Sequence, residues 1–341
     1  MQNYKKIGKQ SYYIESPVSI TGFACVGGKK EGEGPLGPYF DCITDDGYFG
    51  EKTWEKAEAK MQKEAVSKAV SKAGKSLSDM DAIFAGDLLN QCISSSYGLR
   101  ELGIPFYGLF GACSTMAESM SIGSLIIDGG FAKNTVCGTS SHFCSAERQF
   151  RMPLEYGGQR PFTAQTTATA SGMVVLSAED KGPYITHVTT GKITDKGIKD
   201  GLNMGAAMAP AAVDTLLAHF EDTGKSPSDY DLIVTGDLGQ VGYDIVVDLM
   251  AKNGVKMSNY NDCGLMLYDN KKQDTHAGGS GCGCSAAVLC AYLLPEMQKG
   301  TLNKILFIGT GALMSPTSVQ QGESIPGIAH AVAISNERSM A

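Results

Sequence analysis

The sequence predicts a duplicated α/β sandwich, in which two similar halves pack into one compact unit. Two observations support this prediction: an internal repeat, and the alternation of short apolar strands with helices in each half. The length agrees, because 341 residues are enough for one large domain or two ordinary ones of roughly 100–200 residues each. We therefore expect an N-terminal half at residues 1–185 and a C-terminal half at residues 186–341.

The repeat consists of two short motifs that recur in the same order. The segments Ser78–Asp87 (SDMDAIFAGD) and Ser228–Asp237 (SDYDLIVTGD) are identical at six of ten positions and lie 150 residues apart. Further along each half, Cys113 and Cys284 each precede a threonine by 26 residues. Chance rarely produces two matched pairs in one order, so we infer a duplicated half.

Within each half, segments with helical apolar spacing alternate with short apolar runs that are typical of buried strands. In the first half we expect helix 51–73, strand Ala82–Ala85, helix 91–102, buried strand Pro105–Phe110, helix Ser114–Asp128 and strand Thr135–Gly138. In the second half we expect helix 206–221, strand 231–235, helix 241–252, helix 285–298 and strand 304–309. This alternation predicts parallel β-α-β units with helices on both faces of the sheets.

The composition excludes several classes of function. The formal net charge is −7, and Lys and Arg form no long run, so we expect no nucleic-acid partner. No apolar stretch reaches the ~20 residues of a membrane span, and the N-terminus lacks the apolar core of a signal peptide, so we expect a soluble, intracellular protein. The ten cysteines lack the paired spacing of a metal site, so we expect free thiols, no metal and no cofactor.

Cys113 is the sharpest candidate for chemistry. It lies in a Gly-Ala-Cys-Ser-Thr turn, between an apolar run that ends at Phe110 and a predicted helix. A thiol at a helix N-terminus is expected to have a lowered pKa, because the helix dipole and the unpaired N–H groups stabilise the thiolate. The alternative is a small buried residue at a strand-to-helix crossover.

A set of motifs from about residue 8 to residue 332 resembles the stage V sporulation protein AD family of the thiolase superfamily, which includes ketoacyl synthase III. The motifs are Gly86–Gln91, Phe110–Thr115, Ser140–His142, Ala146–Arg151, Glu155–Gly158, Met208–Pro210, Ala277–Cys282, Gly309–Leu313 and Ser315–Pro316. The resemblance implies a thiolase-like α-β-α-β-α sandwich that binds dipicolinic acid (pyridine-2,6-dicarboxylic acid), free or as its calcium chelate. It also implies a role in loading that compound into the developing spore.

The same resemblance implies partners and a location. We expect a homodimer that works with other proteins of the sporulation membrane channel. Since the chain has no anchor of its own, we expect it in the cytoplasm, or peripheral at the inner spore membrane through those protein partners.

The residues needed for thiolase chemistry are incomplete. Condensing enzymes pair the cysteine with a His and with an Asn or a second Cys, which stabilise the enolate and move protons. Alignment with ketoacyl synthases on Ser285–Ala287 puts Gly283 at the Asn position, and their upstream His has no counterpart. His276 faintly resembles a thiolase element, so the alternative function is a Cys-dependent acyltransferase with Cys113 as nucleophile and His276 as base. Otherwise His276 is a loop residue.

A binding function needs cations or N–H donors for two carboxylates. Arg148 and Arg151 share one face if residues 144–151 are helical, and each offers a planar fork to a carboxylate; the alternative is a solvated helix face. Ser140, Ser141 and His142 add neutral donors near a strand end, where ligands of parallel sheets usually bind. The alternative is that these three satisfy one another and the loop.

Two glycines and two acids complete the candidate residues. Gly309 and Gly311 offer backbone N–H groups to an anion, as an oxyanion hole does. Asp87 and Asp237 each follow a glycine at a predicted strand end, and an N-cap is the expected role of Asp237. The resemblance places Asp87 in the pocket, where a carboxylate would help to hold calcium.

Overall fold

The computed structural model describes residues 5–150 and 160–338. Its strands are β1 (Lys6–Ile7), β2 (Ser11–Tyr13), β3 (Ser19–Gly28), β4 (Cys42–Thr44), β5 (Ala82–Gly86), β6 (Phe106–Leu109), β7 (Asn134–Ser141), β8 (Thr166–Thr167), β9 (Ala170–Ser177), β10 (Tyr184–Thr189), β11 (Leu232–Thr235), β12 (Tyr260–Asp262), β13 (Gly279–Ser280), β14 (Lys304–Ala312) and β15 (Gly327–Ser335). Its helices are α1 (Lys29–Gly32), α2 (Trp54–Lys72), α3 (Ile93–Leu99), α4 (Thr115–Asp128), α5 (Phe143–Phe150), α6 (Met204–Thr223), α7 (Gly239–Lys252), α8 (Cys263–Met266), α9 (Cys282–Val288), α10 (Leu294–Gln298) and α11 (Pro316–Gln320). Within the described ranges, no helix combines the length and apolarity needed to cross a membrane.

Ten strands follow one path, in the order β12-β11-β14-β15-β10-β3-β9-β7-β5-β6. The first five come from the second half of the chain and the last five from the first half, and the two sets meet where Tyr184 pairs with Ser19. The outer strands of each half are parallel, whereas β9 and β15 run antiparallel to both of their neighbours. The sheet is therefore mixed, and the expectation of parallel units holds only for the outer strands.

Helices cover the strands in three layers. α2 packs on β3, β7 and β9, with α3 beside it, while α6 packs on β14 and β15 with α7 beside it. α4 and α9 lie between the two halves and contact strands of both. The result is the α-β-α-β-α sandwich that the sequence predicts, and its largest apolar cluster surrounds the two middle helices.

The middle helices depend on small residues for their close approach to the strands. A Cβ added at Gly123 of α4 would lie 2.4 Å from the sulfur of Cys137 in β7. Any larger residue at this position would push the helix off the strand, because protein interiors have no free volume for such a shift. This packing sets the position of α4 against β7, and α4 begins two residues after Cys113.

Most predicted helices and strands are confirmed, but the predicted strand at 105–110 differs in its burial. It is present as β6, yet it is the last strand of the path, and Tyr107 and the adjacent Phe110 are 60% and 55% exposed. The prediction of a buried strand is therefore wrong, because an edge strand has one unpaired side. The central strands β3, β9, β10 and β15 were not predicted at all.

Candidate functional site

Cys113 lies on a tight turn between β6 and α4. A short 3-10 turn, Ala112–Ser114, leads into α4, and Ala112 has φ +52°, which a residue with a Cβ rarely adopts. Strand β14 passes close behind the turn, since a Cβ at Gly311 would lie 2.7 Å from the carbonyl oxygen of Gly111. A Cβ at Gly309 would likewise lie 2.8 Å from the carbonyl oxygen of Ser114. These two glycines shape the cysteine turn, whereas their predicted role as anion donors stays a prediction.

A cavity of about 240 Å³ opens beside Cys113. It is lined by Leu88, Phe110, Ala112, Cys113, Ala146, Phe150, Thr167, Met204, Met208, Ser280, Ala312, Leu313, Met314 and Ser315. Its walls are mainly apolar, and its polar side chains are the thiol and the hydroxyls of Thr167, Ser280 and Ser315. None of the described lining residues carries a charge.

The partner of the Cys113 thiol is the buried carboxyl of Asp237, at the end of β11 in the other half of the molecule. Burial raises the pKa of the thiol well above its ordinary value, and the adjacent Asp237 raises it further. The expectation of a lowered thiol pKa is therefore wrong, because desolvation and a neighbouring acid outweigh the helix N-terminus. Burial also raises the pKa of Asp237.

Asp87 does not line this cavity, contrary to the prediction. Its Oδ1 accepts the N–H of Leu89 at 2.9 Å, and its Oδ2 accepts the N–H and the hydroxyl of Ser95 at 2.8 and 2.6 Å. It therefore stabilises the start of α3. Burial raises the pKa of Asp87, and burial together with Asp87 raises the pKa of nearby Glu58 to about 8. These two acids form a buried pair outside the cavity.

Ser140, Ser141 and His142 also have structural partners instead of facing the cavity. The hydroxyl of Ser140 donates to Glu58 at 2.9 Å, and that of Ser141 donates to the carbonyl of Ala168 at 2.6 Å. His142 bonds to the Gly47 carbonyl through Nε2 at 2.7 Å and accepts the N–H of Cys144 at Nδ1. Burial lowers the pKa of His142, so the ring is neutral. None of the three is among the residues that line the cavity.

Arg148 lies on the face of α5 that points away from the Cys113 cavity. It pairs with Glu55, and its guanidinium lies over the ring of Trp54, 5.2 Å from the centroid. It lines a separate cleft of about 610 Å³, so the prediction that it shares a pocket with Cys113 is wrong. Arg151 and the motif Glu155–Gly158 lie outside the described residues, and the role of Arg151 stays a prediction.

His276 is not placed to act as a base for Cys113. Its Nδ1 donates to the carbonyl of Pro161 at 2.8 Å, and its Nε2 lies 3.1 Å from Asp274 Oδ1. It does not line the cavity. Gly283 leaves no room for the missing Asn either, because a Cβ there would lie 2.5 Å from the carbonyl oxygen of Ala170. The acyltransferase alternative therefore lacks its proposed base.

Sequence reasoning missed Asp237 as a neighbour of Cys113. The N-cap role expected for it belongs to Asp262, whose oxygens accept the N–H groups of Leu238 and Gly239 at the start of α7. The repeat offered a partial signal, because Asp87 and Asp237 occupy equivalent positions after β5 and β11, but the carboxyl of Asp87 bonds to Leu89 and Ser95 of its own half. The sequence alone did not indicate which acid meets the thiol.

Comparisons with known proteins place this architecture among related chains. A family model described as "Stage V sporulation protein AD (SpoVAD)" matches residues 8–335. Stage V sporulation protein AD of Bacillus subtilis (strain 168) is 46% identical over 329 residues, which cover 96% of this chain and 97% of that protein.

Solved structures of lower identity share the fold. A point variant of OleA from Xanthomonas campestris superimposes with a TM-score of 0.60 at 14% identity, covering 94% of this chain and 99% of that one. The 3-oxoacyl-[acyl-carrier-protein] synthase III of Aquifex aeolicus VF5 gives 0.58 at 15% identity, covering 93% and 99%. Human mitochondrial 3-ketoacyl-CoA thiolase in complex with CoA gives 0.57 at 13% identity, covering 95% and 99%. At such identities the likeness shows a thiolase-like fold alone.

Proposed function

Because this chain belongs to the stage V sporulation protein AD family, we propose that it binds dipicolinic acid and supports its uptake into the developing spore. In this proposal the thiolase-like fold serves as a receptor, and the ligand passes to other proteins of the sporulation membrane channel, to which the chain attaches peripherally. One observation carries the proposal. An apolar cavity of about 240 Å³ opens beside Cys113, and none of the described residues that line it carries a charge.

The size and lining of the cavity suit a single planar ring. A cavity of roughly 150 Å³ is enough to hold benzene in other proteins, and this one measures about 240 Å³. Phe110, Met204 and Met208 supply apolar surface for the faces of the ring. The hydroxyls of Thr167 and Ser280 supply donors for carboxylate oxygens.

The absence of charge among the described lining residues favours a neutral ligand. Moving a bare dianion out of water into an apolar cavity without a cation carries a large free-energy cost. One calcium ion neutralises one dipicolinate, so we propose that the chelate is the form that binds. Hydroxyl oxygens of Thr167, Ser280 or Ser315 would then complete the calcium shell, since calcium prefers oxygen ligands. Asp87, the acid first expected there, lies outside the cavity.

Titration calorimetry tests both parts of the proposal. We expect heat of binding from dipicolinate, with tighter binding when calcium is present. Benzene-1,3-dicarboxylate is the matched control, because it has the same shape but lacks the ring nitrogen that helps to chelate calcium. A chain that binds neither compound would refute the receptor proposal. Equal affinity for both compounds, with no effect of calcium, would refute the proposal that the chelate is the form that binds.

The acyltransferase alternative is tested with the same protein. Intact-mass spectrometry after incubation with an acyl-CoA would reveal an acyl group on Cys113. The receptor proposal predicts no adduct that a second substrate can remove. A stable adduct that is chased by a second thioester would establish the enzyme and contradict the receptor.

We also propose that the chain forms a homodimer through the outer edge of β6. Among the described strands β6 is the last of the sheet, and aromatic surface is exposed near its outer edge by Tyr97, Phe106, Tyr107 and Phe110. A second copy would pair its own β6 with this edge and cover the rings. Sedimentation of the wild type should give a dimer, and Tyr107→Lys should shift it toward monomer. A monomeric wild type would contradict the proposal.

A further inference from the structure

Thr167 and Ser280 bring two hydroxyl groups to one wall of the Cys113 cavity. They are register partners in the parallel pair of β8 and β13, of which β8 belongs to the first half of the chain and β13 to the second. Both side chains line the cavity. Paired residues of parallel strands point to the same face, with the strands about 4.8 Å apart, so the two hydroxyls lie side by side.

Both hydroxyls are free to bind a ligand. That of Thr167 has no hydrogen-bond partner among the described residues, although the residue is buried. The methyl group of Thr167 packs toward Gly281, where an added Cβ would lie 3.2 Å from Thr167 Cγ2. The hydroxyl of Ser280 has a single described acceptor, Asp237 Oδ2, at the long distance of 3.4 Å. A carboxylate in the cavity would offer both hydroxyls shorter, charge-assisted hydrogen bonds.

The side chain of Gln165 connects the two strands that carry these hydroxyls. Gln165 is buried two residues before Thr167, and its Nε2 donates to the carbonyl of Gly279 at 2.7 Å and to that of Asp237 at 2.6 Å. Gly279 directly precedes Ser280 in β13. Both partners are carbonyl oxygens, which cannot donate, so the amide nitrogen and not the amide oxygen must face them.

We propose that Gln165 is a positioning residue, which sets the distance between the Thr167 and Ser280 hydroxyls so that together they bind one carboxylate of the ligand. The inference rests on the proposed function and deepens it, because it assigns one carboxylate to one pair of side chains. Gln165 does not line the cavity and acts through the pair. Of the three hydroxyls that the described residues place in the cavity, that of Ser315 then remains for calcium.

The backbone alone does little to hold the hydroxyl pair in register. β8 and β13 are two residues long, and their backbone hydrogen bonds run from Thr166 to Gly278 and from Ala168 to Ser280, each 2.9 Å long. Short two-stranded pairings are marginally stable in water. The Gln165 amide adds two further hydrogen bonds, and its removal would deprive two backbone carbonyls of these donors.

Calorimetry with dipicolinate and calcium tests the hydroxyl pair first. Thr167→Val replaces the hydroxyl by a methyl group of similar shape, and affinity should fall roughly 10- to 100-fold, the usual loss for a hydrogen bond to a charged group. Thr167→Ser keeps the hydroxyl and should restore most of the affinity. Thr166→Val is the matched control on the same strand, since its hydroxyl accepts from Arg160 and does not line the cavity. It should leave affinity unchanged.

A double-mutant cycle then tests the positioning role. Gln165→Met keeps the length of the side chain but removes both donors, and affinity should fall roughly tenfold or more. If Gln165 acts through the hydroxyl pair, Thr167→Val combined with Gln165→Met should bind no more weakly than the weaker single variant. Losses that add would overturn the positioning role, because Gln165 would then act on the cavity by another route.

If Gln165→Met does not fold, NMR of the wild type decides. The side-chain N–H resonances of Gln165 should be protected from exchange with water and should shift when dipicolinate and calcium are added. Rapid exchange, or no shift on binding, would overturn the positioning role.

Failure of this inference is distinguishable from failure of the proposed function. A wild type that binds dipicolinate, beside a folded Thr167→Val protein that binds it equally well, would overturn the inference and leave the proposed function standing. A wild type that does not bind dipicolinate would refute the proposed function, and with it the carboxylate assigned to the hydroxyl pair.

Discussion

The two sides of helix α5 face two different pockets. Ala146 and Phe150, four residues apart, line the Cys113 cavity of about 240 Å³, where no described lining residue is charged. Ser145, Arg148 and Gln149 line the larger cleft of about 610 Å³, together with other charged side chains. Opposite faces of the same helix thus line an apolar cavity and a charged cleft. Sequence neighbours on a helix share a site only when their spacing puts them on one face.

The largest effect is expected at Glu58, a buried acid that accepts a hydrogen bond from Ser145 on the cleft side of α5. Its pKa of about 8 exceeds the unfolded value of about 4.3, so between these values the folded protein keeps a proton that the unfolded chain has released. Stability should therefore fall as pH rises through this window. Across this window the free energy of unfolding of the wild type should fall by about 3–5 kcal/mol. Glu58→Gln should not show this fall, because an amide cannot ionise.

Denaturant unfolding at several pH values measures this effect. Glu64→Gln, on the same helix, is the matched control, because Glu64 is only partly buried and pairs with Lys68. Parallel curves of stability against pH for wild type and Glu58→Gln would show that Glu58 does not carry the buried proton.

The next largest effect is expected on the cavity side, at Ala146. Ala146→Phe places a phenyl ring in the cavity, and ring and ligand cannot share a space of about 240 Å³. Dipicolinate affinity should fall roughly 100-fold or more by calorimetry, with a loss of stability of about 1–3 kcal/mol from overpacking. Arg148→Phe adds the same ring on the opposite face and should leave affinity intact. Equal losses in both variants would erase the distinction between the two faces.

A smaller change is expected from Cys113→Ala. Removing the sulfur enlarges the cavity and deletes one contact, so affinity should change by roughly 3- to 10-fold. After exposure to an acyl-CoA, neither Cys113→Ala nor the wild type should gain the mass of an acyl group. An acyl adduct that forms on the wild type but not on Cys113→Ala would show that Cys113 acts as a nucleophile.

The smallest effect on binding is expected from Arg148→Ala. The side chain pairs with Glu55 and stacks on Trp54 at the cleft, so stability should fall by about 0.5–1 kcal/mol. Dipicolinate affinity should stay within about twofold of wild type, since a residue outside the cavity contributes no hydrogen bond to the ligand. A tenfold loss by calorimetry would place the arginine in the ligand site after all.

The fold was predictable because its signals are local. The repeat at Ser78–Asp87 and Ser228–Asp237 and the alternation of helices and strands depend on residues close in sequence. The same holds for Cys113, whose turn between β6 and α4 is encoded by its small neighbours. The central strands β9 and β15 were missed because they are buried on both faces, so they lack the alternation that marks a half-exposed strand.

The site was harder to predict because packing between distant segments decides it. The contact between Cys113 and Asp237 joins the two halves, and no local pattern encodes it. His142 bonds to the carbonyl of Gly47, 95 residues away. A side chain that the sequence suggests as a ligand donor is therefore already hydrogen-bonded within the fold. For Arg148, the spacing from Arg151 predicts a shared helix face, but the pocket that this face meets depends on how α5 docks.

A crystal structure of the protein grown with dipicolinate and calcium would test the central claim most directly. We expect one chelate in the cavity beside Cys113, with its ring against Met208 and an unmodified thiol directed at Asp237. A ligand bound in the Arg148 cleft, or a covalent group on Cys113, would contradict it.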